Sequence, residues 1–449
     1  MDLKIVIIGA GEVGFNLAKS LSKQNYDITV IDIDSKKCLK VKNTLDVHVI
    51  EGDGCSQRVL QSIGMNDVDY LLALTGIDEI NLVSSQISKK IGAKHVICRL
   101  RNTEYSHKDA IATANEFGID HVVYPEKAAQ AEIEHLVRQS SAVEVQEFMD
   151  GNIVLVGVDL ESSSPLIGRS VENIVISNPY VNHSTVMINR DDNFFIPKKT
   201  DLYQKNDHAY FIGRKKDIDS IQLMAGKPSF NVSNIIILGA GKIGRLLAKS
   251  LQHDYDVRIV ETNEEKAKII GSKLSDSLML IGNGLDIDFL ESENISDVDC
   301  FIAATENEQT NMLASLLAKQ YGAKQVVLHI NTTNYLKAVR RIGADAIISK
   351  NISAVNEVLK IIRSDQDQLP VYRFDDIEVE AIDLVVNTNS KYLTKGYTVS
   401  KIEEQGSLAC IIRDGEYIVP DFRTEVLEND ELLIFAKPKN VSDIESLFN

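Results

Sequence analysis

Short apolar runs alternate along the chain with longer segments whose apolar residues recur every three to four positions. In the first 125 residues the runs lie at 5–8, 28–31, 47–50, 70–74 and 96–100. They show no regular alternation of polar and apolar residues, which is typical of strands buried on both faces. Their alternation with helical segments predicts a parallel sheet covered by helices on both sides.

The whole pattern occurs twice. The stretch KIVIIGAGEVGFNLAKSL, which starts at Lys4, returns as NIIILGAGKIGRLLAKSL from Asn234, and a shorter region of strands and turns follows each copy. We therefore predict an α/β protein with two tandem Rossmann-like, doubly wound parallel sheets, each followed by a small α+β module. The predicted domains are 1–125 and 232–352 for the large units and 140–224 and 370–449 for the small modules.

Composition and charge exclude several classes of protein. The 449 residues carry a formal net charge of −17, which makes nucleic acid an unexpected partner. The five cysteines are far apart and form no C-x-x-C pair, as expected in a reducing cytoplasm. The chain shows no apolar run of the roughly 18 residues that span a bilayer and no secretory signal. We expect a cytoplasmic protein that meets a membrane only through a partner.

A glycine-rich motif follows the first strand and opens a helix. In this context the first glycine permits a tight turn, the second lets the backbone approach a pyrophosphate, and the third lets helix and strand pack closely. Asp32 ends the second strand, where an acid accepts hydrogen bonds from an adenosine ribose and repels a 2′-phosphate. The motif therefore predicts NAD(H) or adenosine nucleotides, the alternative being a purely structural turn. Its residues are Gly9, Ala10, Gly11, Glu12, Val13 and Gly14.

The second copy repeats this motif, with Glu261 at the ribose position. Lys242 replaces Glu12 in the loop, which adds positive charge there. The alternative of a purely structural turn carries more weight here, because repeats often lose binding in one copy. The residues of the second motif are Gly239, Ala240, Gly241, Lys242, Ile243 and Gly244.

Further polar residues follow the other strands of each copy and would complete a nucleotide cleft. Asp53 and Thr75 come after the third and fourth strands, and Asn283 and Thr305 are their counterparts in the second copy. Arg99, at the end of the fifth strand, suits a phosphate, although a surface ion pair is the alternative. Its counterpart is His329, so we expect the two clefts to prefer different ligands.

Metal chemistry has little support in the sequence. The nine histidines show no H-x-x-x-H or H-E-x-x-H spacing. Glu126, which follows the sixth strand, is a candidate cation ligand, with a solvated acid at a helix start as the alternative. The small modules recur after each nucleotide unit, which suits a repeated regulatory element better than a single active site and disfavours the competing hypothesis of an NAD-dependent oxidoreductase. A freestanding nucleotide-sensing scaffold is a third hypothesis.

In the order of its motifs the chain resembles the TrkA family, the peripheral NAD-binding subunits of Trk potassium-uptake systems with two tandem regulator-of-potassium-conductance (RCK) units. The resemblance covers essentially all residues and rests on the doubled glycine loops, Asp32, the stretch 73–81, the segment 98–101, the Pro125-Glu126 pair and the two small modules. It implies a non-enzymatic cytosolic ring, commonly a homotetramer, on the inner face of the membrane.

The resemblance also implies ligands and a partner. Binding of NAD(H) and of ATP or ADP would change the shape of the ring and thereby the flux through a membrane potassium channel or transporter of the Trk type. Nucleotide contacts of the family fall on the glycine loops, on Asp32, Asp53, Thr75 and Arg99, and on Glu261. Glu126 matches a glutamate that helps to hold a cation in related rings, whereas Asn351 stands at its place in the second copy.

Overall fold

The computed structural model describes residues 3–22, 26–107, 109–138, 144–148, 152–191, 193–227, 230–331, 339, 343–364, 371–373, 379–420 and 423–448. The chain divides into two compact units, Met1–Glu134 with Ser233–Asp365 and His135–Val232 with Gln366–Asn449. The domain boundaries expected at 140 and 370 lie outside the described residues, so the division into four domains stays a prediction. Among the described helices, none is both long and apolar enough to cross a membrane.

The first lobe, residues 4–134, contains a parallel sheet. Its strands are β1 Lys4–Ile8, β2 Asp27–Asp32, β3 His48–Glu51, β4 Tyr70–Ala73, β5 His95–Arg99 and β6 His121–Val123, in the order β3-β2-β1-β4-β5-β6. Its helices are α1 Glu12–Leu21, α2 Ser35–Thr44, α3 Gln57–Ser62, α4 Asp78–Ile91 and α5 Pro125–Arg138. The strand order reverses between β1 and β4, which creates a crevice at the carboxyl ends of these strands.

Both faces of this sheet are buried, as the unbroken apolar runs predict. Ile5 and Ile7 belong to one apolar cluster and Val6 and Ile8 to another, because successive side chains of a strand point to opposite faces.

A small antiparallel sheet follows. Its strands are β7 Glu144–Phe148, β8 Ile153–Asp159, β9 His183–Arg190, β10 Asn193–Phe195 and β11 His208–Arg214, in the order β10-β9-β11-β8-β7, with helices α6 Val171–Ser177 and α7 Ile218–Ala225. Arg190 holds the buried carboxylate of Asp207 through two hydrogen bonds, of 2.7 and 2.8 Å. Arg413 and Asp430 repeat this pairing in the second small module, at 2.8 and 2.8 Å.

The second lobe, residues 234–364, repeats the first. Its strands are β12 Asn234–Leu238, β13 Asp256–Glu261, β14 Leu278–Ile281, β15 Cys300–Ala303, β16 Gln325–Ile330 and β17 Ala346–Ser349, in the order β14-β13-β12-β15-β16-β17. Its helices are α8 Lys242–Leu251, α9 Glu264–Gly271, α10 Ile287–Ser292, α11 Glu308–Gln320 and α12 Lys350–Ser364.

The second small module has the strands β18 Val371–Arg373, β19 Glu380–Val385, β20 Gly406–Arg413, β21 Glu416–Ile418 and β22 Glu431–Ala436, in the order β18-β19-β22-β20-β21. Its helices are α13 Lys391–Thr394, α14 Val399–Glu403 and α15 Pro438–Phe448. The two small modules share one apolar cluster, in which Leu155 and Ile212 of the first meet Ala381 and Phe435 of the second. These sheets confirm the predicted fold class.

The two lobes contact each other through their last helices. Helix α12 of the second lobe packs on α1, and its apolar face completes the core of the first lobe with Ala354, Val355, Val358, Leu359 and Ile362. In the opposite direction, Glu134 on α5 accepts a hydrogen bond from Ser250 on α8 of the second lobe. Each lobe thus covers part of the other, so the lobes form one folded body.

Candidate functional site

The loop between β1 and α1 turns sharply just before the helix begins. Gly9 has a φ of +106°, a conformation that glycine adopts without strain, and its N–H donates to the carbonyl of Ile31 at 2.8 Å. A methyl group on Gly14 would lie 1.8 Å from the Gly9 carbonyl oxygen, whereas one on Gly11 would meet no atom within 4 Å. The helix therefore packs tightly on the loop, while the space above Gly11 is open to an anion at the helix N-terminus.

Asp32 ends β2 beside this loop and is only 8% exposed. Its carboxylate accepts hydrogen bonds from the N–H of Ala10 at 2.6 Å and from that of Asp34 at 2.8 Å. The ammonium group of Lys37 is 3.9 Å away. Of the remaining loop residues, Val13 is buried and Glu12 begins α1. Asp32 thus stands against the glycine loop, where the predicted ribose contact requires an acid.

Asn81, which the sequence analysis did not assign to the site, joins the ends of β4 and β5. Its side chain is fully buried. Oδ1 accepts from the N–H of Thr75 at 2.9 Å and from its hydroxyl at 2.7 Å, and Nδ2 donates to the carbonyls of Thr75 at 3.0 Å and Arg99 at 2.8 Å. Thr75 also lies against Gly9, since a methyl on that glycine would be 3.0 Å from the Thr75 nitrogen. This network brings three predicted site residues together.

Arg99 and Glu126 each carry a buried polar atom that makes no hydrogen bond to the described residues. Nε of Arg99 is buried and donates to no described acceptor, and Oε2 of Glu126, a side chain only 4% exposed, accepts no described hydrogen bond. Burial lowers the pKa of Arg99, and the charge of Glu126 opposes that shift. Buried polar groups are nearly always hydrogen-bonded, so an unpartnered guanidinium nitrogen fits a phosphate oxygen of a ligand.

Cationic groups surround Glu126. Lys242 Nζ lies 3.6 Å from its carboxylate, and the charges of Arg99 and Lys350 act on it as well. Across the described residues, no three His, Cys, Asp or Glu side chains are grouped so that they could hold a metal ion. The cation role of Glu126 therefore stays a prediction.

Asp53 and Asn283 shape the loops after β3 and β14. Oδ1 of Asp53 accepts from the N–H of Cys55 at 2.9 Å, and Oδ1 of Asn283 accepts from the N–H of Leu285 at 3.0 Å. Both side chains are exposed and make these turns in the same way. Their predicted contact with a nucleotide stays a prediction.

The second cleft repeats the framework of the first. Gly239 has a φ of +104°, and a methyl on Gly244 would lie 2.0 Å from the Gly239 carbonyl oxygen. Asn311 is fully buried and takes the place of Asn81. Its Oδ1 accepts from Thr305 N–H at 2.9 Å and from the Thr305 hydroxyl at 2.6 Å, and its Nδ2 donates to the His329 carbonyl at 3.0 Å. The residues behind the loop, Ala240 and Ile243, are buried, and a methyl group on Gly241 would have its nearest atom, the carbonyl oxygen of Ala304, at 3.8 Å.

Glu261 differs from Asp32 in its partners. Oε1 accepts from the N–H groups of Thr262 at 2.9 Å and Asn263 at 3.1 Å, and Oε2 pairs with Lys266 Nζ at 2.6 Å. Burial acts to raise the pKa of Glu261, but the hydrogen bond from Lys266 and those from the backbone bring it below its usual value. The acid at the second ribose position is therefore ionised and already neutralised by a lysine.

His329 stands where the first cleft has Arg99. It is 3% exposed, and neither ring nitrogen has a hydrogen-bond partner among the described residues. Burial, with a smaller effect of the Lys350 charge, lowers its pKa to about 3. The ring is therefore neutral at physiological pH, with one nitrogen that carries a hydrogen and one that is able to accept one.

The lowered pKa of His329 makes the stability of the folded chain depend on pH. An unfolded histidine takes up a proton near pH 6.5, whereas His329 in the folded chain does so only near pH 3. The contribution of His329 is complete above pH 6.5 and shrinks as pH falls towards 3, with a loss of about 2 kcal/mol by pH 5. The free energy of unfolding, measured in urea, should fall between pH 7 and pH 5 by about 2 kcal/mol less in His329→Gln than in the wild type.

The exposed His48 on β3 provides the control for this pH dependence. His48→Gln should retain the wild-type loss between the two pH values. Equal losses in the wild type and His329→Gln would show that His329 is protonated normally in the folded chain.

Both lobes match a known domain family, and nearly the whole chain is similar to known proteins. A family model of the TrkA-N domain matches residues 5–125 and 235–350. Trk system potassium uptake protein TrkA homolog 1 of Methanosarcina mazei is 30% identical over 455 residues, which cover 99% of this chain and 100% of that protein. Trk system potassium uptake protein TrkA of Vibrio alginolyticus is 29% identical over 452 residues, which cover 99% of this chain and 98% of that protein.

Solved structures share the fold over the whole chain. The crystal structure of the GsuK RCK domain has a TM-score of 0.58 at 14% identity and covers 100% of this chain and 95% of that one. The structure of the GsuK channel bound to NAD has a TM-score of 0.59 at 14% identity and covers 100% and 79%. Both glycine loops and both asparagine networks lie inside the segments that the family model matches, and the relatives align over nearly the entire length; the chain belongs to the TrkA family.

Proposed function

We propose that this chain is the nucleotide-sensing regulatory subunit of a potassium-uptake system. It binds NAD(H) and adenine nucleotides in the two clefts and alters the flux through a membrane channel or transporter of the Trk type. The observation that carries this proposal is the pair of matched clefts, each with an open glycine loop, an acid beside it and a buried asparagine network. The names of the TrkA relatives and the NAD bound to the GsuK channel support it.

Each part of a nucleotide has a residue in the first cleft that suits it. The N–H groups at the start of α1 would hold a pyrophosphate, Asp32 would accept from the ribose hydroxyls, and Arg99 would take a phosphate oxygen. Bound nucleotide supplies negative charge and contacts with both edges of the crevice. A ligand shifts a conformational equilibrium only through different affinities for its states, so the shared helices α5 and α12 are the elements through which the lobes would respond.

The proposed function also requires an oligomeric state, a location and a partner. The chain acts without catalysis, as a homotetrameric ring on the cytoplasmic face of the membrane, held there by its transport partner. Its working domains are 1–125 and 232–352 for nucleotides and 140–224 and 370–449 for the small modules. Light scattering of the purified protein tests the tetramer, and co-purification with the membrane transporter tests the docking.

Calorimetric titration tests the nucleotide sites. The full chain is titrated with NAD, NADH, ATP and ADP, and the same titrations are repeated on Asp32→Ala and Glu261→Ala. We expect saturable binding to the wild type. Asp32→Ala should weaken binding in the first cleft and Glu261→Ala in the second, because each acid serves one ribose. Absence of binding by all four nucleotides would refute the proposal, and turnover of NADH with a small substrate would favour the oxidoreductase instead.

A further inference from the structure

The parallel sheet of the second lobe has an apolar outermost strand. Strand β14, Leu278–Ile281, lies at the end of the strand order and pairs, within the described part of the chain, only with β13. All four of its residues are apolar. The free N–H and C=O groups of an edge strand form a template for another strand, and native proteins usually protect such edges with charged residues or proline. The residues of β14 provide neither form of protection.

Exposed apolar side chains flank this strand on both faces of the sheet. On one face Leu280 packs with Phe289 of α10 in a core cluster. On the other face Met279 lies against α9, where a methyl group on Gly271 would be 3.3 Å from its Cβ atom. Four large apolar side chains around the strand are between 38% and 60% exposed, namely Ile269 on α9, Leu278 and Ile281 on β14, and Ile287 on α10. We call these four side chains and the outer rim of β14 the β14 edge.

Backbone hydrogen-bonding groups also point outwards from this edge. The N–H of Gly282, directly after β14, donates to the carbonyl of Glu261 on β13 at 3.1 Å. Because successive residues of a strand direct their N–H and C=O groups to opposite sides, those of Leu280 point towards β13 and those of Met279 and Ile281 point away from it. Two donors and two acceptors are therefore available to an added strand.

The first lobe has a polar edge at the same place. Strand β3 pairs with β2 as β14 pairs with β13, with His48 opposite the third residue of β2 and Leu278 opposite the third residue of β13. The counterparts of the four exposed apolar side chains are all polar and exposed, namely Lys40, His48, Glu51 and Gln57. The two lobes share their strand order, so the apolar character of the β14 edge is not a requirement of the fold.

The charges around the two edges have opposite sign. Residues 264–293, from the start of α9 to just after α10, carry seven Asp and Glu against three Lys. Two of these lysines are already paired, Lys266 with Glu261 and Lys268 with Glu264, at 2.6 Å each. The equivalent residues 35–63 of the first lobe carry three Asp and Glu against five Lys and Arg. The β14 edge is therefore apolar with acidic surroundings.

A second copy of the chain complements this edge poorly. Pairing of β14 with β14 would bring acidic surroundings together, and like charges across an interface are unfavourable. Pairing of β14 with β3 would place the polar side chains Lys40, His48 and Glu51 against the apolar ones. An extended segment with apolar side chains and flanking Lys or Arg residues matches both the apolar strand and its acidic surroundings. Cytoplasmic loops of membrane proteins carry an excess of these basic residues.

We propose that the β14 edge binds an extended apolar segment, flanked by Lys or Arg, in a cytoplasmic loop of the membrane transport partner. This docking site rests on the proposed function. The segment adds to the six-stranded sheet as a seventh strand and bonds to the outward N–H and C=O groups of Met279 and Ile281. Its apolar side chains cover the exposed ones of the edge, and its basic residues meet the surrounding acids.

Ile281→Pro tests strand addition directly. Proline removes the outward N–H of residue 281, leaves the hydrogen bonds to β13 in place and is tolerated on edge strands. Binding of the full chain to the Trk-type transporter of the same organism, held in nanodiscs of phosphatidylcholine, is measured by biolayer interferometry. Ile281→Pro should weaken this binding at least about tenfold, because the added strand loses a hydrogen bond and meets the proline ring. Glu51→Pro, at the equivalent position of β3, is the matched control and should bind within about twofold of the wild type.

The double variant Leu278→His with Ile287→Gln keeps the test decisive if Ile281→Pro does not fold by circular dichroism. It introduces the residues that the first lobe carries at the same positions, so the fold should tolerate both. Binding should again weaken about tenfold or more, because apolar contact area is lost. Wild-type binding should also weaken between about 50 mM and about 300 mM salt, because salt screens the attraction between acidic edge and basic segment.

Two results would overturn the docking site and leave the proposed function standing. One is wild-type affinity for the transporter in the folded variants of the β14 edge. The other is a changed oligomeric state of these variants in light scattering with transporter binding intact, which would show that the edge joins copies of the chain. Absence of transporter binding by the wild type would instead refute the docking that the proposed function requires, and the β14 site with it.

Discussion

Gly11→Ala is expected to weaken nucleotide binding strongly in the first cleft while the chain stays folded. Gly11 precedes α1 with φ −71° and ψ −172°, backbone angles that alanine adopts freely, and an added methyl group meets no atom within 4 Å. The methyl group would occupy the open space through which a pyrophosphate approaches the N–H groups of α1. Binding of the first-cleft ligand should weaken at least about tenfold by calorimetry, with an unchanged melting temperature.

Gly14→Ala is the matched control, because it alters the same loop for the opposite reason. Its methyl group would lie 1.8 Å from the Gly9 carbonyl oxygen, so α1 must move away from the loop. Overpacking of this kind costs about 1–3 kcal/mol or more, and the melting temperature should fall. If Gly11→Ala binds the nucleotide like the wild type, the glycine loop is a structural turn.

Among the site residues that are not themselves predicted ligand contacts, Asn81 is expected to be the one whose replacement by alanine destabilises the chain most. The fully buried amide makes the hydrogen bonds that join β4 to β5. Alanine would remove these bonds from the N–H and carbonyl of Thr75 and would leave the Arg99 carbonyl with only the Cys98 thiol, at 3.7 Å. Each buried group left unsatisfied costs about 1–3 kcal/mol, so the free energy of unfolding should fall by about 3 kcal/mol or more. Urea unfolding monitored by circular dichroism measures this loss.

The chain offers two controls for Asn81. Asn311→Ala removes the same network from the second lobe and should cost about as much, because its hydrogen bonds match within a few tenths of an ångström. Asn43→Ala on the exposed side of α2 should change stability by no more than about 0.5 kcal/mol. A small effect of Asn81→Ala would mean that water or backbone adjustment satisfies the freed groups.

The repeat, the parallel sheets and the glycine loops were predictable from the sequence because they depend on local patterns. Apolar runs without polar alternation identify buried strands, and a G-x-G-x-x-G motif between strand and helix needs glycine at spaced positions for steric reasons. The positions of Asp32 and Glu261 at strand ends follow from the same pattern. The role of Asn81 could have been inferred from the repeat, since Asn81 follows Thr75 at the same spacing as Asn311 follows Thr305.

The sequence by itself thus determined the two doubly wound lobes, the small modules and the glycine loop and acid of each cleft. Only the tertiary structure decided that α12 completes the core of the first lobe and that Lys242 and Lys350 of the second lobe reach Glu126 of the first. Such contacts join residues more than a hundred positions apart, and no periodicity or motif encodes which surface an amphipathic helix covers. Tertiary packing also buries His329 and makes its ring neutral, because burial disfavours the charged form of a group regardless of its neighbours in sequence.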